Sequence, residues 1–323
     1  MRATRERVKV ILPSYNRREQ LKASIDSVLA QTHRDLRLVV IDDASTDGAA
    51  ELLREYAERD SRVAAIFKSE WRGVADSVDA LLAFEPETPF VAFHANDDLW
   101  APDKLEAQLQ EFRASPDVGM VFTEADLIDQ DGELLGQTFS ELYRPPPVED
   151  PSREIFLNGN FVCAPSVLVK REVLDLFEPP SPYQLLNDLY MWMVIAAHYE
   201  IRFIPRPLTK YRRGPGTLSS TRGDALLREA YEIRAEALRR YPRLVDAVGA
   251  QTAHRWLDQC ALDNATASLR NGRYDEFRWW AGRTLRGTRS PATVGRLAYL
   301  SLRNGVARAL EKGRTRVSSR RSA

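Results

Sequence analysis

Residues 89–100 read PFVAFHANDDLW, and this stretch decides the fold. It opens with an apolar run at residues 90–93 and then breaks into Asn-Asp-Asp at residues 96–98. A short apolar run that ends in paired carboxylates is typical of a buried strand that brings acids to the edge of a sheet. Such acids suit a divalent cation and a phosphorylated ligand. The alternative is a plain turn before a helix, since Pro102 follows.

The sequence before this stretch alternates between strand and helix patterns. Apolar runs at residues 8–12, 36–41 and 63–67 predict three strands. Residues 17–31 predict a helix, because apolar side chains recur at i, i+4, i+7 and i+8 from Leu21. Strands that alternate with helices of this length predict an α/β fold with a mostly parallel, Rossmann-like sheet and helices on both faces.

Polar residues follow three of these strands, at residues 14–16, 42–43 and 96–98. Ligands bind outside the carboxyl ends of the strands in such sheets, so the three polar ends predict one shared site. Neither a G-x-G-x-x-G nor a G-x-x-x-x-G-K-[ST] pattern follows the first strand. This argues against a dinucleotide oxidoreductase and a P-loop NTPase.

The second half of the chain shows a different pattern. After a strand at residues 118–123, a turn signal at 129–132 predicts a hairpin. From residue 224 onward only helical patterns occur. The remaining predictions are a strand at 160–170, a helix at 186–198, strands at 201–204 and 208–211, and helix breaks near Pro242, Gly272 and Pro291.

Charge divides the chain into an acidic front and a basic back. Residues 221–323 hold 21 Lys and Arg against 10 Asp and Glu, whereas residues 1–220 hold 25 against 36. We therefore predict two parts, 1–220 and 221–323. The two cysteines form no spacing motif, and neither a signal-peptide core nor a membrane-spanning apolar run is present. These features predict a cytoplasmic protein with reduced thiols.

With pieces such as VILPSYNR (10–17) and FHANDDLWAPDKL (93–105), residues 8–220 resemble the family 2 glycosyltransferases. The resemblance implies a GT-A fold for the catalytic part and inverting transfer of a sugar from a nucleotide-diphosphate donor. The matching pieces are VILPSYNR (10–17), SIDSVLAQTHRDLRLVVIDDASTDG (24–48), FHANDDLWAPDKL (93–105), VCAPSVLVKREVL (162–174), NDLYMWMVIA (187–196) and YRRGPGTLS (211–219).

The resemblance also implies roles for individual residues. Tyr15 would stack on the nucleobase, and Asp43 would accept from a base imide N–H, which favours a UDP-sugar. Asp97 and Asp98 would hold a divalent metal, Mn²⁺ or Mg²⁺. Asp188 would be the general base that deprotonates the acceptor hydroxyl. The implied donor-binding residues are Pro13, Tyr15, Asn16, Asp42, Asp43, Asp97 and Arg212.

Each of these roles has a structural alternative. Tyr15 could pack at a strand end, Asp42 and Asp43 could cap the next helix, and Asp188 could cap its own helix. The chain also departs from the family pattern at Ala95, at the pair Val78-Asp79 and at Gly214. These departures leave open a nucleotide-sugar-binding subunit without catalysis. A nucleotidyltransferase ranks lower, since no Gly-rich, Lys-containing loop follows the first strand.

The basic back end lies outside the resemblance. Residues 296–312 predict an amphipathic helix in which arginines surround an apolar face. Such a helix can lie on an anionic membrane surface, although a helical cap with a solvated basic tail is the alternative. We predict synthesis of a cell-surface polysaccharide or glycolipid, with a saccharide or lipid-linked saccharide acceptor. No nucleic-acid recognition motif occurs, so a nucleic-acid partner is not expected.

Overall fold

The predicted strands join into one nine-stranded sheet. The computed structural model describes residues 6–71, 74–85, 87–143, 149–177, 183, 185–214, 223–287, 295–296, 298–300 and 302. The strands are β1 (Val8–Ser14), β2 (Leu36–Asp42), β3 (Val63–Phe67), β4 (Phe90–Phe93), β5 (Leu99–Trp100), β6 (Val118–Ile128), β7 (Leu134–Thr138), β8 (Leu168–Lys170) and β9 (Glu200–Arg212).

The sheet order confirms the α/β prediction. The strands run β3-β2-β1-β4-β8-β6-β9-β5, and β7 pairs with β6 as the predicted hairpin. The first four strands are parallel. Strand β8 is antiparallel to both of its neighbours, so β6 and β9 again run in the direction of β1. The sheet is therefore mostly parallel, and the carboxyl ends of β1, β2 and β4 lie at one edge.

Helices cover the sheet and form the carboxyl-terminal region. They are α1 (Arg18–Leu29), α2 (Ala49–Arg59), α3 (Val74–Ala83), α4 (Lys104–Ala114), α5 (Phe139–Tyr143), α6 (Pro151–Asn158), α7 (Asn187–His198), α8 (Gly223–Arg240), α9 (Pro242–Val248), α10 (Ala250–Arg270) and α11 (Tyr274–Gly287). The predicted breaks near Pro242 and Gly272 fall between helices, whereas Pro291 and most of the amphipathic stretch 296–312 lie outside the described residues.

Strand alternation divides the interior into two cores, one on each face of the sheet. Val10 and Leu12 of β1 join the core formed with α1, α2 and α4. Ile11 points the opposite way, into the core formed with α6, α7 and the helices α8 and α9. Trp192 of α7 is 1% exposed in this second core. Both faces are therefore buried, as a parallel sheet requires.

Two strand predictions are wrong. The predicted strands 201–204 and 208–211 form one continuous strand, β9, because bulges in its pairing with β6 accommodate Pro205 and Pro207. In the predicted strand 160–170, only Leu168–Lys170 forms a paired strand. A 3₁₀ turn at Ala164–Ser166 comes first, since Pro165 favours a turn there and lacks the N–H that a ladder needs.

Candidate active site

The three polar strand ends meet at the carboxyl edge of the sheet. The backbone N–H of Asp43, after β2, donates to the carbonyl oxygen of Ser14 in β1 at 2.8 Å. The amide Nδ2 of Asn96, after β4, donates to Ser14 Oγ at 3.4 Å. Pro13 pairs with Ile41 of β2 within the sheet. The carboxyl edge of the sheet therefore brings together residues that lie about 80 positions apart in the chain.

Asn16 joins the loops after β1 and β2. Its backbone N–H donates to Ser45 Oγ at 3.0 Å, and its Oδ1 accepts from the N–H of Thr46 at 2.8 Å. Its φ of 45° lies in the left-handed region, which Asn tolerates better than most residues. Asn16 thus fixes the loop that presents Tyr15, and its predicted contact with the donor stays a prediction.

Asp42 and Asp43 are both buried, and neither caps α2. Asp47, which precedes the N-cap residue Gly48, instead accepts from the N–H of Ala49 through its Oδ1 at 3.1 Å. Asp42 Oδ2 accepts from the N–H of Ser45 at 3.2 Å. Asp43 Oδ1 lies 3.3 Å from Lys68 Nζ. Both acids therefore lie at the carboxyl end of β2, and their predicted contacts with a donor remain predictions.

Tyr15 is exposed at this edge and faces a second aromatic ring. Its side chain is 46% exposed, and its predicted stacking on a base stays a prediction. The indole of Trp71, 62% exposed, lies 6.5 Å away between ring centroids. Sequence reasoning missed Trp71, although a large aromatic residue in the polar loop after β3 was an available signal.

The two acids after β4 have different surroundings. Asp97 is partly exposed, and its Oδ2 pairs with the guanidinium of Arg17 at 3.0 Å. Asp98 is fully buried, and its Oδ1 accepts from the backbone N–H of Arg212 at 2.8 Å. Burial and the neighbouring charge of Asp97 raise the pKa of the Asp98 carboxyl well above its usual range. Asp97 is thus the more accessible of the two.

Arg212 binds backbone carbonyl groups on two loops. Its Nε donates to the carbonyl of Asp97 at 2.9 Å, and one terminal nitrogen donates to the carbonyls of Asp129 and Gln130 at 2.6 and 2.8 Å. These contacts hold the loop after β4 against the turn after β6. A role in donor binding stays a prediction.

Two of the departures from the family pattern lie where the structure shows close packing. A side chain at Gly214 would meet the amide of Gln130, whose Nε2 lies 2.0 Å from the position of an added Cβ. A larger residue there therefore requires the Gln130 side chain to move. Val78, on α3, packs against the core shared with α7.

Asp188 lies in the first turn of α7 and is held by Asn160. Asn160 Nδ2 donates to Asp188 Oδ2 at 2.6 Å, and the N–H of Leu189 donates to Oδ1 at 2.8 Å. Burial raises the pKa of the Asp188 carboxyl, and the bond from Asn160 opposes this. A positioned carboxyl with a raised pKa has the properties of a general base.

The two residues that precede α7 are held by a carboxylate from a distant helix. Glu229 of α8 accepts from the N–H groups of Leu185 and Leu186 at 2.8 and 2.6 Å. This carboxylate, from a residue more than 40 positions away, fixes the segment that leads into α7. Sequence reasoning missed both Asn160 and Glu229, because no local pattern marks a partner so distant.

The acids after β4 fit a divalent cation. In the described part of the chain, no group of three or more His, Cys, Asp or Glu side chains gathers around one point. However, Mg²⁺ commonly takes only one or two carboxylates from the protein and completes its shell with water and substrate phosphates. Asp98 Oδ2 is buried and accepts no hydrogen bond, so it offers an unused oxygen beside Asp97.

Comparison with solved structures shows the same GT-A fold. A mannosyltransferase from Pyrobaculum calidifontis, solved in complex with GDP-Man and Mn²⁺, is 19% identical, with a TM-score of 0.57 over 94% of this chain and 80% of its own. S. aureus TarS 1-349 in complex with UDP-GlcNAc is 16% identical, with a TM-score of 0.58 over 87% of this chain and 92% of its own.

Sequence comparison identifies the family. The model of glycosyl transferase family 2 matches residues 9–177. The putative teichuronic acid biosynthesis glycosyltransferase TuaG of Bacillus subtilis is 29% identical over 68% of this chain and 83% of its own length. The Escherichia coli UDP-Glc:alpha-D-GlcNAc-diphosphoundecaprenol beta-1,3-glucosyltransferase WfgD is 27% identical over 69% and 83%. The family model covers more than half of the chain, which therefore belongs to glycosyl transferase family 2 and is a glycosyltransferase.

Proposed function

We propose that this glycosyltransferase moves a sugar from a UDP-sugar to an acceptor hydroxyl with inversion at the anomeric carbon. The observation that carries the proposal is the hydrogen bond from Asn160 to Asp188. It occurs in a chain whose polar strand ends form a crevice suited to a nucleotide-sugar donor. As general base, Asp188 takes the proton of the acceptor hydroxyl while that oxygen attacks the anomeric carbon opposite the leaving diphosphate. Attack from the opposite face inverts the configuration.

The donor contacts follow from the crevice residues. Tyr15 stacks on the base and Asp43 accepts from its imide N–H, while Asn16 and Asp42 shape the loop around the ribose. Asp97 and Asp98 would hold Mg²⁺ or Mn²⁺, which when bound neutralises charge on the diphosphate leaving group. Donor complexes of structural neighbours with UDP-GlcNAc or GDP-Man support a nucleotide-sugar donor.

The acceptor proposal rests on the named relatives. WfgD is named as acting on a diphosphoundecaprenol-linked sugar, and TuaG is named for teichuronic acid synthesis. A lipid-linked saccharide acceptor in a cell-surface polysaccharide pathway fits both names. It also fits a cytoplasmic enzyme at the inner face of the membrane, touching it through the basic carboxyl-terminal helices. No helix among the described residues is long and apolar enough to cross a bilayer.

Calorimetry combined with a turnover assay tests the proposal. UDP, GDP, CDP and dTDP are titrated with and without Mn²⁺, and we expect metal-dependent binding of UDP to dominate. Asp188→Asn should still bind UDP but lose nearly all turnover, whereas the surface control Asp175→Asn, 70% exposed, should keep it. Normal turnover in Asp188→Asn would refute the base assignment. Absence of binding by all four nucleotides would refute the donor site.

A further inference from the structure

One face of helix α1 is polar where it lies against the loop after β4. Ser24, Ser27 and Gln31 share that face, because a spacing of i, i+3 and i+7 places side chains in one line along a helix. Ser24 and Gln31 are 0% exposed, and Ser27 is partly buried. Buried polar side chains are nearly always hydrogen-bonded. The partners of these three side chains include the loop that carries Asp97 and Asp98.

Ser24 holds the start of this loop, just before the two acids. Its Oγ donates to the carbonyl of Ala95 at 2.8 Å and lies 2.8 Å from Nε2 of the buried His94. Burial lowers the pKa of His94 to about 3, so the imidazole is neutral. Since the single hydroxyl proton of Ser24 points to Ala95, His94 Nε2 is the donor to Ser24 Oγ. One hydroxyl therefore fixes two consecutive residues ahead of Asp97.

Ser27 and Gln31 hold the end of the loop, just after the two acids. Ser27 Oγ accepts from the backbone N–H of Trp100 at 3.2 Å. Gln31 Nε2 donates to the carbonyl of Ala101 at 2.6 Å, and its Oε1 accepts from the N–H of Leu105 at 3.0 Å. The chain is thus tied to α1 at residues 94–95 and again at residues 100–101. The residues between these ties, 96–99, include both acids.

These ties act on the path of the backbone, since all but the contact with His94 go to main-chain atoms. A fixed path matters most for Asp98, which is fully buried and whose Oδ2 has no hydrogen-bond partner among the described residues. Burying a carboxylate oxygen without a partner is costly, so a loop that could move would turn it towards water. A divalent cation such as Mg²⁺ also demands near-ideal ligand geometry.

We propose that Ser24, Ser27 and Gln31 are positioning residues that set the relative placement of the Asp97 and Asp98 carboxylates for a divalent cation. This inference rests on the proposed function and deepens it, because it assigns a part in cation binding to side chains outside the pair of acids. Each acts through the backbone of the loop. Loss of such outer contacts typically lowers the affinity of a protein for its metal about 10- to 100-fold.

Titration calorimetry tests this role through the gain in UDP affinity that Mn²⁺ produces. UDP is titrated into the full chain with Mn²⁺ and, separately, with EDTA, and the two dissociation constants give one ratio for each variant. Ser24→Ala and Gln31→Met should each lower this ratio about tenfold or more and leave the affinity in EDTA close to that of the wild type. Ser27→Ala should lower the ratio as well, whereas Ser27→Thr, which keeps the hydroxyl, should retain most of it.

Ser268→Ala is the matched control. It removes a hydroxyl from α10 at a residue that is also buried, at 3% exposed, in the carboxyl-terminal helices. Its ratio should equal that of the wild type, even where its melting temperature falls. Thermal melting by circular dichroism shows whether each variant is folded. The Ser27 pair keeps the test decisive if the fully buried positions do not tolerate substitution.

The outcomes separate this inference from the proposed function. If Ser24→Ala and Gln31→Met lower the melting temperature but keep the wild-type ratio, as Ser268→Ala does, the three residues support only the fold and the inference is refuted. If Ser27→Thr loses the ratio as fully as Ser27→Ala, the hydroxyl is not the cause and the role of Ser27 is refuted. If the wild-type chain binds UDP equally well with Mn²⁺ and with EDTA, the proposed cation site falls, and this inference falls with it.

Discussion

Replacing Asn160 by alanine should shift the acidic limb of the pH–activity profile to higher pH. The amide of Asn160 donates to the carboxylate of Asp188 at 2.6 Å. This bond favours the ionised form and lowers the pKa of Asp188, whereas burial raises it. Without the Asn160 amide, the pKa of Asp188, already raised by burial, rises further. A base must be ionised to act, so activity is lost at a higher pH than in the wild type.

The magnitude follows from the kind of hydrogen bond. A hydrogen bond to a charged group is worth about 1.5–3 kcal/mol, and the Asp188 carboxylate is largely removed from water. Every 1.4 kcal/mol is about a factor of ten. On the acidic limb, kcat/KM of Asn160→Ala should therefore fall about tenfold to hundredfold below the wild type. Well above the limb, where Asp188 is ionised in both proteins, the difference should be much smaller.

The assay is the release of UDP from a UDP-sugar in the presence of an acceptor, measured across the pH range. Glu229→Gln is the matched comparison, because the charge of Glu229 raises the pKa of Asp188. That variant should move the limb slightly in the opposite direction, to lower pH. Donor affinity, measured by calorimetry with UDP, should be unchanged in both variants since neither residue lies at the carboxyl ends of β1, β2 or β4.

A uniform loss of activity at every pH would refute the reasoning. It would mean that Asn160 only shapes the loop before β8 and does not set the ionisation of Asp188. An unchanged profile would equally refute it, since the hydrogen bond would then be absent in solution.

Two further predictions concern buried cations that cap helices. Lys9 of β1 donates to the carbonyls of Leu82 and Phe84 at the end of α3, at 3.0 and 2.7 Å. A hydrogen bond from a charged group is worth about 1.5–3 kcal/mol. Lys9→Met should therefore lower the free energy of unfolding, measured in urea, by about this amount. Unchanged stability would show that water replaces the lysine. Arg234 of α8 donates to the carbonyl of Phe156 at 2.6 Å. Arg234→Met should therefore lower the free energy of unfolding by a similar amount, and the melting temperature with it. The control Arg239→Met, at an exposed residue, should leave both unchanged.

The elements that the sequence predicts correctly have a strong local signal. Strands β1, β2 and β4 carry largely apolar runs that end in polar residues. Such runs are typical of parallel strands that are buried on both faces. The convergence of these strand ends follows from topology alone, because parallel neighbours end at one edge. The strand error at β9 occurs where prolines give a local signal that tertiary pairing overrides, whereas at residues 160–170 the local effect of Pro165 prevails.

The parts of the candidate site that the sequence does not show depend on distant partners. Asn160 reaches Asp188 across 28 positions, and Lys68 reaches Asp43 across a whole helix. Neither residue belongs to a periodic pattern, and Asn and Lys are ordinary loop residues. Their roles appear only when the packing of β3 beside β2, and of α7 beside the loop before β8, is known.

The helices beyond the family match also support the site. Ile233 and Ala237 of α8 enter the same core as Trp192 of α7, and Glu229 binds the residues just before that helix. The charge division at residue 220 marks a change of composition, and whether it is a folding boundary stays a prediction. A chain that ends before α8 would expose the apolar face of α7. It would also lack Glu229, which accepts hydrogen bonds from the N–H groups just before α7. We therefore expect the region after residue 220 to be required for the geometry of Asp188 as well as for any contact with a membrane.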